Sequence, residues 1–361
     1  MIKSNMQIIH CSDIHIGSAM KSLPAEKAKI RKRELLDSFL RIADFAKEKQ
    51  VPVVIIAGDL FDNRKVARSI KKEIVDKINS VPEIDFIYLT GNHDKNFEIA
   101  YDDDITLPKN LKTFDTPSDW QYFCYDDVCI AGIDIGAQSG TGFYEKLKFD
   151  AGKINIAVMH GALGNIHIDR LRGKYIDYLA LGDKHSPDLQ ASRIDARGVY
   201  AYSGCLEGCG FDETGDKGFF LLSIDNGKIS GKFCRSSKRK HEIIDVDITN
   251  CDNHSLIEKA VRNKTDTLDK KNLVRVVLKG KYKADTIKET GNIEKKLNED
   301  FFFAQVKDES VLDRESVDFR NEISLRGEFV NIVDRCDLNH EQKDKIIEYG
   351  IKALCGEDLD L

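Results

Sequence analysis

Through the first two-thirds of the chain, short unbroken apolar runs alternate with longer stretches whose apolar positions recur every three or four residues. Runs of the first kind suit buried strands and the second kind amphipathic helices, so the pattern predicts an α/β protein. Strands are expected at Gln7–His10, Val53–Ala57, Phe86–Thr90, Ile154–Met159, Tyr178–Leu181 and Val199–Tyr202. A long helix lies between the first two, with Leu36, Phe39, Leu40, Ala43 and Ala46 on one face. A second helix follows the second strand and aligns Ile70, Ile74 and Ile78. Trp120–Asp134 reads as a hairpin turning at Asp126-Asp127.

The pattern breaks at the polar, basic stretch Arg235–Lys240, which sets the end of a first domain at residues 1–235. Residues 240–310 then read as a small α/β module: strand Glu242–Ile248, helix Asn253–Asn263, strand Leu273–Leu278, helix Ala284–Leu297 and strand Phe301–Val306. After a charged stretch at Asp308–Asp318, residues 319–361 form a helical segment. One helix spans Glu322–Arg335 and carries Phe329, Val330 and Val333. The other spans Asn339–Leu354, opens on an Asn339…Gln342 pair resembling a capping box, and carries Ile346, Ile347, Gly350, Ile351 and Leu354. Their apolar faces can serve a partner or the chain's own core.

The 361 residues leave room for two or three domains, and 41% hydrophobic with 32% charged residues fits a folded protein in water. No apolar run reaches the ~18 residues of a membrane span. Met1–Asn5 lacks the apolar stretch of a signal peptide, so a cytoplasmic location and no membrane partner are expected. Nine scattered cysteines then read as reduced thiols, with Cys205 and Cys209 as half a zinc site lacking its other half. A net charge of −6 disfavours a freestanding DNA-binding protein, although two bound divalent cations would cancel most of that excess. Lys238-Arg239-Lys240 is either a phosphate contact or a solvated surface.

Chemistry concentrates in five short segments: Ser12-Asp13-Ile14-His15, Gly58-Asp59-Leu60-Phe61-Asp62, Gly91-Asn92-His93-Asp94, Met159-His160-Gly161 and Gly182-Asp183-Lys184-His185. Each ends or follows an expected strand, and in α/β sheets ligands gather beyond the strands' carboxyl ends. Asp13 and His15 are two apart, so an extended segment would put them on one face. Asp59, just past a buried strand, can bridge two cations, and Asn92 adds an oxygen without charge. Mixed imidazole and oxygen donors fit Mn²⁺ or Fe²⁺ better than a thiolate metal. Any one segment alone is an ordinary turn; five in order at strand ends predict a metal site.

The ordered set Asp-x-His, Gly-Asp, Gly-Asn-His-Asp, His-Gly and Gly-x-x-His resembles the calcineurin-like metallophosphoesterases. His10–Gly17, Gly58–Asp62, and Tyr202–Glu207 running into Phe211-Asp212-Glu213 and Lys217-Gly218-Phe219 resemble SbcD-type exonucleases within them. The resemblance implies a metallophosphoesterase β-sandwich flanked by helices, a small α/β capping domain and C-terminal helices. Carried across, Asp13, His15, Asp59 and His185 would hold one metal, and Asp59, Asn92, His160 and Asp183 the other. His93 would act on the phosphate, oriented by Asp62. Two positions depart from the family. Gly182-Asp183-Lys184-His185 stands where Gly-His-x-His is usual, and Gly208 where an arginine often follows Glu207. Asp183 either binds the second metal, directly or through a water, or caps the turn at Gly182–Pro187.

The resemblance further implies a metal-dependent DNA exo- and endonuclease subunit for DNA repair. It would hydrolyse phosphodiesters with a hydroxide made between two divalent ions, foremost Mn²⁺, with Fe²⁺ or Mg²⁺ as alternatives. The expected partners are DNA, an SbcC-like SMC-related ATPase docked on the C-terminal helices, and a second copy of the chain. The competing readings are a phosphoesterase of the same fold acting on a small phosphodiester or a phosphoprotein, and a catalytically weakened adaptor for the ATPase.

Overall fold

A computed structural model describes residues 6–62, 66–94, 106–114, 119–283, 286–313 and 323–354. Two compact units make up the chain, Met1–Lys240 and His241–Leu361.

The first unit is built on two six-stranded sheets. One contains β1 (Met6–Cys11), β2 (Val53–Ala57), β3 (Asp85–Leu89) and β4 (Leu111–Thr113), all parallel. The other contains β5 (Gln121–Tyr125), β6 (Val128–Gly132), β7 (Ile154–His160), β8 (Tyr178–Gly182), β9 (Ser192–Arg193) and β10 (Val199–Tyr202). A hairpin of β11 (Gly218–Asp225) and β12 (Lys228–Arg235) returns to the first sheet, β11 pairing antiparallel with β1. Parallel strands buried on both faces carry unbroken apolar runs, and all five residues of β2 are buried. Alternation divides the sides: Val53, Ile55 and Ala57 join Ile156, Val158 and Ala180 in the core between the sheets. On the far side of the second sheet, Ala157, Met159, Leu179 and Leu181 pack against Phe143 and Tyr144 of the one-turn helix α3 (Phe143–Lys146).

Helix α1 (Ala25–Glu48) buries Leu35, Leu36, Phe39, Ile42, Ala43 and Ala46, with Leu40 half-buried, and Phe45 meets Phe219 of β11 edge-on at 5.1 Å. Helix α2 (Arg68–Asn79) buries Ile74 and Ile78. The β5–β6 hairpin turns at Asp126-Asp127, with Asp126 in the left-handed region (φ 41°) that a tight two-residue turn demands. Cys124 and Cys129 face each other across it and are joined by a disulfide, which corrects the expectation of thiols throughout.

The basic stretch expected to link domains belongs to the first unit. Arg239 pairs with the buried Glu34 at 2.9 Å and Lys240 with Asp216 at 2.8 Å. The charges of this run are engaged by acidic groups of its own unit, and Lys238, 3.3 Å from Glu34, stays exposed, so the run is an ion-paired, solvated surface.

In the second unit β13 (His241–Asp247), β14 (Leu273–Lys279) and β16 (Phe303–Asp308) form a parallel sheet. Between them run α4 (His254–Thr265), β15 (Lys281–Tyr282) and α5 (Thr290–Asp300), and β15 pairs with β17 (Val311–Leu312). Asn253 caps α4 by accepting from the Leu256 N–H. Two helices close the unit, α6 (Leu325–Arg335) and α7 (His340–Leu354). Glu322, the expected start of α6, and Ala284, that of α5, lie outside the described residues. Asn339 and Gln342 form a reciprocal box: the Gln342 N–H donates to Asn339 Oδ1 at 2.9 Å and the Asn339 N–H to Gln342 Oε1 at 3.2 Å. Val330, Val333, Ile347 and Ile351 enter the same core as Val274, Val276 and Leu297. The helices thus use one face on their own unit, while Leu325, Ile332, Ile346, Tyr349 and Leu354 remain exposed.

Candidate metal centre

Because the strands that precede the five segments are parallel, their carboxyl ends deliver every segment to one edge of the first unit. Asp13 and His15 follow β1, Asp59 and Asp62 follow β2, Asn92 and His93 follow β3, His160 ends β7 and His185 follows β8. Three overlapping clusters result: Asp13, His15 and His185; Asp13, Asp59 and His160; and His15, Asp62 and His93. Within each, one donor atom per residue lies within 4.8 Å of the others.

Asp59 sits between the first two groups, with Oδ2 3.3 Å from His160 Nε2 and 3.8 Å from His15 Nε2. Asn92 Oδ1 is 2.9 Å from His160 Nε2, and His15 Nε2 is 3.0 Å from His185 Nε2. At the mouth, half-exposed His93 has Nδ1 3.2 Å from Asp62 Oδ1, and the same oxygen is 3.4 Å from His15 Nδ1. The Asp183 carboxylate belongs to none of the three clusters; its backbone N–H donates to Asp13 Oδ1 at 2.9 Å.

Convergence is achieved by an unusual backbone rather than by an extended segment. Asp13, His15 and Asp59 all have φ of 51°, and Asp183 has φ of 108°. Non-glycine residues rarely adopt such angles, and they persist where the surroundings over-determine them. Glycines make room beside them. A Cβ on Gly58, itself at φ 92°, would fall 2.1 Å from His160 Nδ1, and one on Gly91 2.1 Å from Asp59 Oδ1.

Residues to which the sequence assigned no role hold the donors in place. Buried Asp94 accepts from the N–H groups of Leu60, Phe61 and Gly91, binding two ligand loops together. Ser12 Oγ donates to Asp13 Oδ2 at 2.5 Å. His160 Nδ1 donates to the Ala57 carbonyl at 2.9 Å, which turns Nε2 toward Asp59 and Asn92. His185 Nδ1 lies 2.5 Å from Glu213 Oε1. In the sequence Asp94 closes the segment Gly91-Asn92-His93-Asp94 and Glu213 the run Phe211-Asp212-Glu213, with no role attached to either.

The electrostatics fit a cation. Burial pulls the His160 imidazole down, but the carboxylates of Asp59 and Asp13 overcome this and push it up to about 9. The Glu213 hydrogen bond raises His185 against the opposing effect of burial. Burial raises Asp13, whereas Asp59, despite burial, is held low by its hydrogen bond to His160 and by nearby imidazoles. With Nδ1 of His185 donating to Glu213, its Nε2 lone pair points at another imidazole nitrogen 3.0 Å away. Such an arrangement calls for a proton or a cation there. The donors are imidazole nitrogens, carboxylate oxygens and one amide oxygen, a set suited to divalent first-row metals.

The neighbouring thiols take no part. Burial pushes Cys209 up to about 12 and raises Cys205 well above the usual thiol range, and neither belongs to a donor cluster among the described residues. His10 is a core residue, held down to about 3 by burial and 2.9 Å from the Tyr178 hydroxyl through Nδ1. Beside Gly208, the position of the missing family arginine, the guanidinium of Arg31 donates to the Gly208 carbonyl at 3.0 Å and to Glu207 at 2.9 Å.

Over residues 6–198, more than half its length, the chain matches the family model of the calcineurin-like phosphoesterases. The chain belongs to this family. Calcineurin-like phosphoesterases are metal-dependent hydrolases of phosphoesters, and the clustered Asp and His side chains are its potential metal ligands. The chain is 27% identical over 306 residues to YhaO of Bacillus subtilis (strain 168), an uncharacterized metallophosphoesterase, covering 77% of this chain and 72% of that one. It is 25% identical over 254 residues to the DNA double-strand break repair protein Mre11 of Methanopyrus kandleri. That match covers 62% of this chain and 55% of the archaeal one, so the chain spans little more than half of that relative. A purple acid phosphatase from yellow lupin (Lupinus luteus) seeds aligns with 65% of this chain and 52% of its own, at 12% identity and a TM-score of 0.44. Among the described residues no helix is long and apolar enough to cross a membrane.

Proposed function

We propose that this calcineurin-like phosphoesterase is a metal-dependent DNA exo- and endonuclease subunit that works in DNA repair with an SbcC-like ATPase. The observation that carries the reading is the buried ligand array with an exposed histidine at its mouth, in a chain that is similar to an archaeal double-strand break repair protein. Asp13, His15, Asp59 and His185 would hold one divalent ion, and Asp59, Asn92 and His160 the other, with Asp183 completing the second set directly or through a water. Mn²⁺ suits these donors best. When bound, two such ions supply Lewis-acid charge neutralisation and activate water near neutral pH.

The chain's own residues supply the remainder. His93, with Nδ1 turned to Asp62, keeps Nε2 to donate to a phosphate oxygen or the departing sugar oxygen, a contribution of about 10²–10⁴-fold. The exposed faces of α6 and α7 suit a coiled-coil partner, since each helix leaves apolar side chains outside its own core.

The test is a nuclease assay on linear and hairpin DNA with Mn²⁺, run beside bis-p-nitrophenyl phosphate. Cleavage of both DNAs is expected. Turnover of the small ester with intact DNA would transfer the assignment to a small-phosphodiester hydrolase. For the partner, Ile332→Asp with Tyr349→Asp should preserve cleavage and abolish ATPase capture.

A further inference from the structure

The Glu213 side chain uses both of its oxygens. Oε1 takes the hydrogen of His185 Nδ1 at 2.5 Å, and Oε2 takes the backbone N–H of Cys209 at 2.7 Å. The second bond fixes the carboxylate in its own loop, so the first fixes an imidazole reaching in from another. The main chain of His185 is held as firmly. Its carbonyl accepts from Lys217 Nζ at 2.9 Å and from the Cys205 N–H at 3.2 Å. Lys217 is 1% exposed, a burial that an ammonium tolerates only when its hydrogen bonds are met and negative charge is near. Here the ammonium is spent on the His185 carbonyl, so its burial serves the loop that carries the imidazole.

We propose that Glu213 is a positioning residue for the metal centre. It keeps the hydrogen of His185 on Nδ1 and aims the Nε2 lone pair at the site shared with His15. This deepens the proposed function and rests on its assignment of His185 as a metal ligand. A carboxylate can do this where an amide cannot. Two donors, the imidazole N–H and the Cys209 N–H, face two separate acceptor oxygens, whereas glutamine has one oxygen and one NH₂. In Glu213→Gln either the amide NH₂ confronts the Cys209 N–H, or it confronts His185 Nδ1 and drives the ring hydrogen onto Nε2. The second arrangement blocks the lone pair that a metal needs. Partners of this kind are commonly worth about 10–100-fold in metal affinity.

The experiment uses the full chain, metal-free and then titrated with Mn²⁺ by calorimetry, for the wild type, Glu213→Gln, Glu213→Asp and His185→Ala. The ring-nitrogen resonances of ¹⁵N-histidine-labelled protein report the tautomer before any metal is added, and His185→Ala identifies the signal. Expected are an Nδ1–H tautomer in the wild type, its loss in Glu213→Gln, and Mn²⁺ affinity at one site weakened about 10–100-fold. Glu213→Asp, which keeps two acceptor oxygens, should recover the tautomer and much of the affinity. Glu213→Gln with wild-type tautomer and affinity, in a protein whose His185→Ala variant loses an ion, overturns the role of Glu213 alone. Unchanged Mn²⁺ binding in His185→Ala overturns instead the ligand assignment beneath it. Should Glu213→Gln fail to fold, Glu213→Asp carries the test: a tautomer unlike the wild type's, with unaltered affinity, refutes the proposal.

Discussion

Replacing Arg31 by methionine puts a buried charge network under a test that can be worked out bond by bond. The Arg31 guanidinium is fully buried and donates to Glu34 at 2.7 Å, to Glu207 at 2.9 Å and to the Gly208 carbonyl at 3.0 Å. Glu34 would keep Arg239. Glu207, with a side chain 0% exposed, would keep the Ser38 hydroxyl and the Lys238 N–H on Oε1 but lose the partner of Oε2. Arg41 at 4.0 Å would be its nearest remaining cation. Removing one member of a buried pair costs about 3–5 kcal/mol, and the bonds left on Oε1 place this case near 3 kcal/mol. Trp120, the only tryptophan of the chain, is buried in the first unit, so its fluorescence in a urea titration reports that unit. The titration should be run with a chelator, because a bound metal would add its own stabilisation. Arg31→Met with Glu207→Gln should recover most of the loss, since the uncompensated charge is gone. A single variant that loses under about 1 kcal/mol, or a double variant no better than the single, would refute the reasoning.

Other outcomes follow from the site. Asp59→Ala should lose both ions by metal analysis, because its carboxylate lies between the two donor groups. His93→Ala should keep full metal content while turnover falls about 10²–10⁴-fold; loss of metal would show that the residue is a ligand. Asp183→Asn should weaken Mn²⁺ at one site only, and unchanged affinity at both would leave Asp183 as a turn residue. Gly58→Ala should disturb His160, whose Nδ1 would lie 2.1 Å from the new Cβ, and wild-type Mn²⁺ affinity in that variant would contradict the described packing.

The parts of the fold most legible in the sequence were those whose burial is uniform or strictly periodic. Val53–Ala57 is apolar at all five positions because both faces of β2 are covered, and the face of α1 repeats at helical spacing. Strand β12 was missed because it is mostly exposed and Lys228–Arg235 lacks an apolar alternation, whereas β11 carries the legible apolar run Phe219–Leu222 and was passed over. At the site, strand ends and short motifs located Asp13, His15, Asp59, Asn92, His160 and His185, but not how they meet. Extended geometry was the wrong basis for pairing Asp13 with His15, since left-handed angles turn them toward their neighbours. Supporting groups such as Glu213 and Asp94 act across 28 and 34 residues of chain, and no local pattern encodes such reach. The ion pairs of Arg239 and Lys240 were hidden for the same reason, because Glu34 lies 205 residues from Arg239.

The left-handed angles at Asp13, His15 and Asp59 also set protein stability against chemistry. Each would be more at ease as glycine, and the two aspartates as asparagine, so such replacements relieve backbone strain while weakening or removing a donor. A library selected for heat resistance alone should therefore drift toward glycine and asparagine at these three positions. Its sturdiest members would be inert, and the unmutated chain would be recognisable among them by what it sacrifices in order to react.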